Sequence, residues 1–326
     1  MVTRIRFALA DAAGIRFGIS PLWETVRSLY ALGDPGRHAI HVPWVRRVRN
    51  LCGDPAVAGA LDLLGEFARP GSWLPDFLTP APSGPLVELA DELVTLAATP
   101  VARIRADLRA IAVRRPLGPA GLAGLRRPGQ LRSELVGAVR IWYEAAIAPD
   151  WPRLRALLEA DIGYRGRQLA EGGLPKLFSG LHPSVRWAGD GIHAEDPWGL
   201  DIDLRGRGLP LMPSVFVDRR VLWAVRPDSP PLAVYPARAA ATLWQSRPAP
   251  SAALVGVLGP TRARLLEMLG EPASTTELAR RLNVAPPSVS GQLGILRAAG
   301  LVSRAPAGRS VLYLRTELAE RLLAGG

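Results

Sequence analysis

Ser288, Ser290 and Gln292 alternate with or adjoin the apolar residues Val289 and Leu293, with Leu296 one turn further on. Hydroxyls and a carboxamide at that spacing offer donors and acceptors to a flat polar surface, such as the edges of paired bases. The residue types that do covalent or metal chemistry are scarcer. His38, His41, His182 and His193 are the only histidines and Cys52 the only cysteine. There is no G-x-S-x-G elbow, no Walker lysine and no cysteine pair, so neither catalysis nor a cofactor is expected. His193 with Glu195 and Asp196 could sketch a metal site, but charged residues beside a hairpin turn are the simpler reading, and no metal is expected. Cys52 reads as a small buried apolar residue, without a disulfide partner and consistent with a reducing cytoplasm.

The elements that would position the polar group follow from local patterns. Pro260 to Leu269 places Leu265, Leu266 and Leu269 on one stripe and stops at Gly270. Ser274-Thr275-Thr276-Glu277 has the spacing of a capping box, ahead of an inward face of Leu278, Ala279 and Leu282. After Asn283-Val284-Ala285, the pair Pro286-Pro287 suits the start of a helix, where an amide is not needed. That second helix buries Val289, Leu293 and Leu296 and leaves Ser288, Ser290, Gly291 and Gln292 outward. Gly300 closes it, Leu301 to Arg304 leaves as a strand, and Arg309 to Arg315 returns beyond a tip at Ala305-Pro306-Ala307-Gly308. In the return strand Leu312 and Leu314 share one face, and Arg309, Tyr313 and Arg315 the other. The whole is a winged helix-turn-helix, a module that meets duplex DNA.

The residues Thr275 to Leu282, Val289 to Val302 and Gly308 to Tyr313 resemble the ArsR/SmtB-type transcriptional regulators, with helix, turn, helix, glycine and wing in the family's order. The resemblance covers about a quarter of the chain. It implies a homodimer that represses or activates a promoter, with dimer contacts from Ser251 to Leu258 and Glu317 to Leu323. The expected DNA-binding residues are Thr275, Thr276, Pro287, Ser288, Ser290, Gly291, Gln292, Arg297, Arg304, Arg309, Ser310 and Tyr313, with Arg304 and Arg309 anchoring the wing. Two departures narrow the reading. Residues 251–326 contain neither Cys nor His, so metal sensing of the family's type is excluded there. Ala285 replaces a Ser or Asp cap and Gly291 a larger polar residue, which weakens the helix start by about 1 kcal/mol and thins base readout.

Charge agrees with a polyanion partner. The chain has a net charge of +11 and a pI near 11, and residues 251–326 carry nine Arg against five Glu and no Asp. With 39 Arg and the single Lys176, part of this is a compositional habit of the whole sequence. A length of 326 residues suits two domains, 1–246 and 251–326, joined at Arg247-Pro248-Ala249-Pro250. No stretch is long and apolar enough for a signal peptide or a membrane span, and a cytoplasmic location is expected.

The larger domain reads as helical over 1–180 and as an antiparallel β-meander over 185–235, making the chain α+β and mainly α. Val2 to Leu9 can be a strand, and Ser20-Pro21 starts a helix. Apolar periods continue at Ala56 to Phe67, Leu86 to Ala98, Val101 to Val113, Leu131 to Ala148 and Trp151 to Glu171. Loops are expected at Arg69 to Pro85 and Pro116 to Gly129. From Val185 the period becomes two. Val185-Arg186-Trp187 and Ile192-His193-Ala194 flank Gly189-Asp190-Gly191, a hairpin signal. Strands are expected at Leu200 to Leu204, Ser214 to Val217, Val221 to Val225 and Leu232 to Tyr235, and a connecting helix at Ala237 to Trp244. Trp23, Trp142, Trp187, Trp198 and Trp223 read as core, or as the walls of an apolar small-molecule pocket. Ser20 to Thr25, Gly180 to Val185, Pro213 to Phe216 and Tyr235 to Arg238 resemble an uncharacterised domain that recurs ahead of ArsR-type winged helices. The resulting expectation is a DNA-binding repressor whose larger domain senses a non-metal effector or a partner. Two alternatives are an enzyme gathering His182, Asp201 or Arg186 in a polar pocket, and a protein-interaction protein whose winged helix binds no DNA.

Overall fold

Ser20 and Pro21 begin the first long helix as their types require: the Ser20 hydroxyl accepts from the Trp23 amide at 3.0 Å, and Pro21 occupies the first turn. The computed structural model describes all residues except 72, 190, 198, 218–219, 227–229, 245–251, 271, 283, 308–309 and 325–326. The chain divides into two units, Met1–Trp244 and Gln245–Gly326. The expected linker at 247–250 lies outside the described residues, as do Trp198 and Asp190.

The N-terminal unit is mainly helical. After strand β1 (Val2–Arg6), the short helix α1 (Leu9–Ala13) and β2 (Arg16–Phe17), it runs through α2 (Pro21–Gly33), α3 (Val42–Arg49), α4 (Pro55–Phe67), α5 (Leu89–Ala97), α6 (Val101–Arg114), α7 (Pro119–Arg126), α8 (Pro128–Trp142) and α9 (Trp151–Leu181). Two of these, α3 and α7, lie where no helix was expected, α7 inside the supposed loop at 116–129. Its start is held from a distance: the Glu66 carboxylate on α4 accepts from the amides of Ala120 at 2.9 Å and Gly121 at 2.7 Å. A cap supplied by another helix leaves no mark in the local sequence. Helix α9 is broken at Gly172 and Gly173, the latter at φ +62°, and Pro175 restarts it. The helical core includes Leu22, Val26, Trp44, Leu64, Leu135 and Trp142.

Strands follow at β3 (Val185–Ala188), β4 (Gly191–Glu195), β5 (Asp201–Asp203), β6 (Pro210–Ser214), β7 (Leu222–Ala224) and β8 (Leu232–Pro236). They form the expected antiparallel meander only in part: β3 with β4, the expected hairpin, and β7 with β8 pair antiparallel, and the other pairings depart from it. One sheet has the order β3-β4-β1-β5, with β1 antiparallel to β4 and parallel to β5; the other has the order β2-β6-β8-β7, in which β2, β6 and β8 run parallel. Strands from the N-terminal 17 residues thus enter both sheets, so residues 1–180 are not wholly helical either. The physical reason is burial on both faces: Leu211 to Ser214 and Leu232 to Tyr235 are continuously buried, as parallel strands covered on both sides are. Gly191 lets β1 approach, since a Cβ there would lie 2.1 Å from the Ile5 carbonyl oxygen. Residues 237–244 hold only a short 3-10 turn at Ala240–Thr242.

The C-terminal unit contains α10 (Ala252–Leu258), α11 (Pro260–Met268), β9 (Ala273–Ser274), α12 (Thr275–Leu282), α13 (Pro286–Ala298), β10 (Val302–Ala307), β11 (Ser310–Arg315) and α14 (Glu317–Ala324). The three strands form an antiparallel sheet in the order β10-β11-β9. Leu265, Leu266, Leu278, Val289, Leu293 and Leu296 join in one apolar core.

Candidate nucleic-acid interface

Helix α13 carries the polar group read from the sequence. Its inward stripe, Val289, Leu293 and Leu296, is at most 1% exposed, while Pro287, Ser288, Ser290 and Gly291 face solvent. Ala285 sits at the cap position with extended backbone and no side-chain hydrogen bond. The outward face has low relief. A Cβ added at Gly291 or Gly294 would meet nothing within 4 Å, and Ile295 beside them is 49% exposed. These glycines therefore have no packing reason within the unit, and each lowers helix stability by roughly 1 kcal/mol relative to alanine.

Gln292 differs from its neighbours. It is half-buried, and its Oε1 accepts from Arg262 Nη1 at 3.4 Å, while Arg262 Nε donates to the Leu258 carbonyl at 2.5 Å. The side chain is thus steered by α11, with its amide NH2 left to donate outward. Sequence spacing places Gln292 on the outward half but contains no signal for this contact.

At the start of α12, the Ser274 hydroxyl accepts from the Glu277 amide at 3.2 Å. Only that half of the expected capping box forms, because the Glu277 carboxylate pairs with Arg281 one turn on. Thr275 is half-buried and Thr276 exposed. Arg297 is exposed on the last turn of α13, and Gly300 follows at φ +69°. Arg304 is exposed on β10, across the ladder from Tyr313. Tyr313 itself packs partly buried against the core, and Arg315 beside it pairs with Glu320 at 3.4 Å. Strand β9 pairs with β11, and Tyr313 lies opposite Ala273 in that ladder. Arg309 lies outside the described residues, and Ser310 begins β11.

The chemistry-bearing residues of the N-terminal unit do not converge. His182 Nδ1 accepts from the Ser184 amide at 3.1 Å and lies 2.8 Å from its hydroxyl, Asp201 pairs with Arg6 at 2.7 Å, and Arg186 lies 3.2 Å from His193 Nδ1. Cys52 is exposed rather than buried, because it falls on a 3-10 turn at Asn50–Gly53 that buries none of its residues. Trp142 is buried in the helical core and Trp23 in a smaller cluster with Met212 and Val234, while Trp187 and Trp223 pack partly buried against a separate core that includes Ile5 and Phe178. His41, which the sequence does not mark out, sits among Trp44, Phe216 and Trp244. Its Nδ1 accepts from the Trp244 indole at 2.8 Å, and its Nε2 lies 3.1 Å from the Val215 carbonyl. That pairing selects the neutral tautomer with hydrogen on Nε2. Burial, reinforced by His38, pulls its pKa down to about 4.

Among the described residues no three His, Cys, Asp or Glu side chains group as metal ligands would, and no helix is long and apolar enough to cross a membrane. No curated protein and no solved structure matches the chain. Residues 258–304 match the helix-turn-helix domain family. That match runs from the end of α10 to the middle of β10 and includes the whole of α12, α13 and the turn between them. The C-terminal unit therefore carries a helix-turn-helix domain, the DNA-binding element of transcription regulators.

Proposed function

We propose that this chain is a sequence-specific, ArsR-like transcriptional repressor that binds duplex DNA as a homodimer, and that it regulates rather than catalyses. The observation that carries this reading is the two-sided α13: an apolar stripe locked into the core behind a solvent-facing half of Ser288, Ser290 and Gly291. In a dimer two such helices enter successive major grooves about 34 Å apart, with serine hydroxyls and the Gln292 amide at base edges. Arg297, Arg304 and Arg309 supply phosphate contacts that fix register without reading sequence. Pro287, Thr275 and Thr276 lie at the helix starts that approach the backbone, and Ser310 and Tyr313 belong to the wing.

Support for a second copy comes from the flanking helices, where Val257 on α10 and Leu318 and Leu322 on α14 expose apolar surface within the unit. The N-terminal unit is proposed to bind a non-metal effector or a partner and to change the separation of the two readers. The test is selection of DNA by the full chain from a random duplex library, followed by gel shift with the recovered site. A single enriched two-fold motif, bound at least tenfold more weakly by S288A/S290A/Q292A, is the expected result. Selection that enriches no motif, or a variant that binds the motif as well as the parent chain does, overturns the reading.

A further inference from the structure

The positive charge of the N-terminal unit is concentrated in one place. Residues 101–142, which make up α6 to α8 with their connections, carry nine Arg against Asp107 and Glu134, whereas the remaining residues of 1–244 carry 21 basic and 22 acidic side chains. An arginine-rich composition alone would spread the excess over the unit.

Packing gathers much of this charge at one end of the three helices. Arg105 Nε on α6 donates to the Leu125 carbonyl at 3.3 Å, which ties it beside Arg126 and Arg127 at the end of α7. Arg132 Nη1 on α8 donates to the Thr99 carbonyl at 2.6 Å, beside the start of α6, and Arg109 lies one turn beyond Arg105. Arg109, Arg126 and Arg127 are exposed. Among the described residues none of these five is ion-paired; in contrast, Arg103 on the same helix pairs with Asp107 at 3.7 Å. With Arg126 Nε donating to the Leu122 carbonyl at 3.5 Å, hydrogen bonds to carbonyls hold three guanidinium groups in place without neutralising them. A groove of about 320 Å³ between α7 and α8 runs past Ala120, Ala123 and Gly124 to Arg126 and Arg127. Glu134 and Gln130, hydrogen-bonded to each other at 2.8 Å, form its other wall.

We infer that this arginine cluster is a second nucleic-acid surface, which takes the phosphate backbone of duplex DNA. Like charges held together repel, and a polyanion relieves that repulsion with release of its counterions. Guanidinium groups already restrained by carbonyls lose little freedom on binding phosphate and present paired donors to it. The choice of DNA among polyanions rests on the reading proposed above, because a helix-turn-helix on the same chain holds duplex at high local concentration.

The experiment follows the full chain binding fluorescent duplex at salt concentrations from about 50 to 200 mM, the range over which phosphate contacts dominate the affinity. In R109Q/R126Q/R127Q the slope of log affinity against log salt should flatten by about 2 to 3, at about 0.9 per lost phosphate contact. The lysine counterpart R109K/R126K/R127K should retain the parent slope, which separates charge from a folding defect. A glutamine variant with the parent slope overturns the inference. So does one that loses only its binding to phosphatidylserine vesicles, which would assign the cluster to a membrane. R297A/R304A distinguishes the two readings: if it binds duplex like the parent while the glutamine variant is weakened, the helix-turn-helix reading fails and the arginine cluster stands.

Discussion

The two units bury different chemistry. Every buried charged or polar residue among the described residues, from Thr3 to Arg226, lies in the N-terminal unit, while the buried residues of the C-terminal unit are apolar throughout. Glu24 and Glu92 are 1% and 3% exposed; Val215 donates its amide to Glu24 at 3.1 Å, and the Leu22 amide and Ser20 hydroxyl bond to Glu92. Arg165, 2% exposed, faces Asp161 at 3.5 Å, an ion pair without hydrogen-bond geometry, and donates to the Gly180 carbonyl at 2.5 Å. The helix-turn-helix keeps its charges outside, in pairs such as Arg281 with Glu277. An apolar core of local helices can be read from periodicity and is insensitive to pH. A core threaded by carboxyl groups ties distant segments together, and its stability depends on protonation.

The largest effect should separate the units. Asp161→Ala strands the buried Arg165 and removes the acceptor of the Arg238 amide, 3.0 Å away, and should destabilise the N-terminal unit by about 3–5 kcal/mol. Calorimetry should show that transition shift while the C-terminal one stays in place. Leu293→Ala does the converse: a cavity under α13 should lower the stability of the C-terminal unit by about 2–5 kcal/mol, equally at pH 5 and pH 8.

A third comparison uses pH. Burial pushes the Glu24 and Glu92 carboxyls up to about 7 from 4.5, so both are favoured as neutral acids in the folded unit. The unfolded chain releases these protons from pH 4.5 upward, so stability falls as pH rises from 4.5 to about 7, by up to roughly 3 kcal/mol per group. His41 acts oppositely, its pKa lying at about 4 against 6.5, and it removes stability as pH falls from 6.5 to about 4. Two carboxyls outweigh one imidazole, so the N-terminal unit should melt higher at pH 5 than at pH 8. Glu24→Gln should flatten that decline between pH 4.5 and about 7, and an unchanged slope would show that Glu24 is ionised in the folded unit.

Smaller changes address α12 and α13. Ser274→Ala removes a real cap and should lower the C-terminal melting transition by the equivalent of about 1 kcal/mol. Gly291→Ala, placed in open space on a helix, should instead stabilise that unit by about 0.5–1 kcal/mol. If the reader helix lies close against DNA, the same alanine weakens operator binding in a gel shift.

The amino-acid sequence by itself determined the elements whose reasons are local. Pro286-Pro287, the Val289, Leu293 and Leu296 stripe and Gly300 specify α13, its buried face and its end, because each acts through neighbours within one or two turns. Ser20-Pro21 does the same for α2. Only the tertiary structure decided the features whose partners are remote in the chain. Glu66 starts α7 across more than fifty residues, β1 enters a sheet built from residues near 190, and β9 pairs with β11 at Tyr313. The same holds for Arg262 on Gln292 and for His41 on Trp244. The arginines of α6 to α8 were countable in the sequence, but their meeting at one end of three helices was not. Spacing along the chain reports the period of a helix or strand, and the partner of a side chain is set by the packing of elements far apart in it.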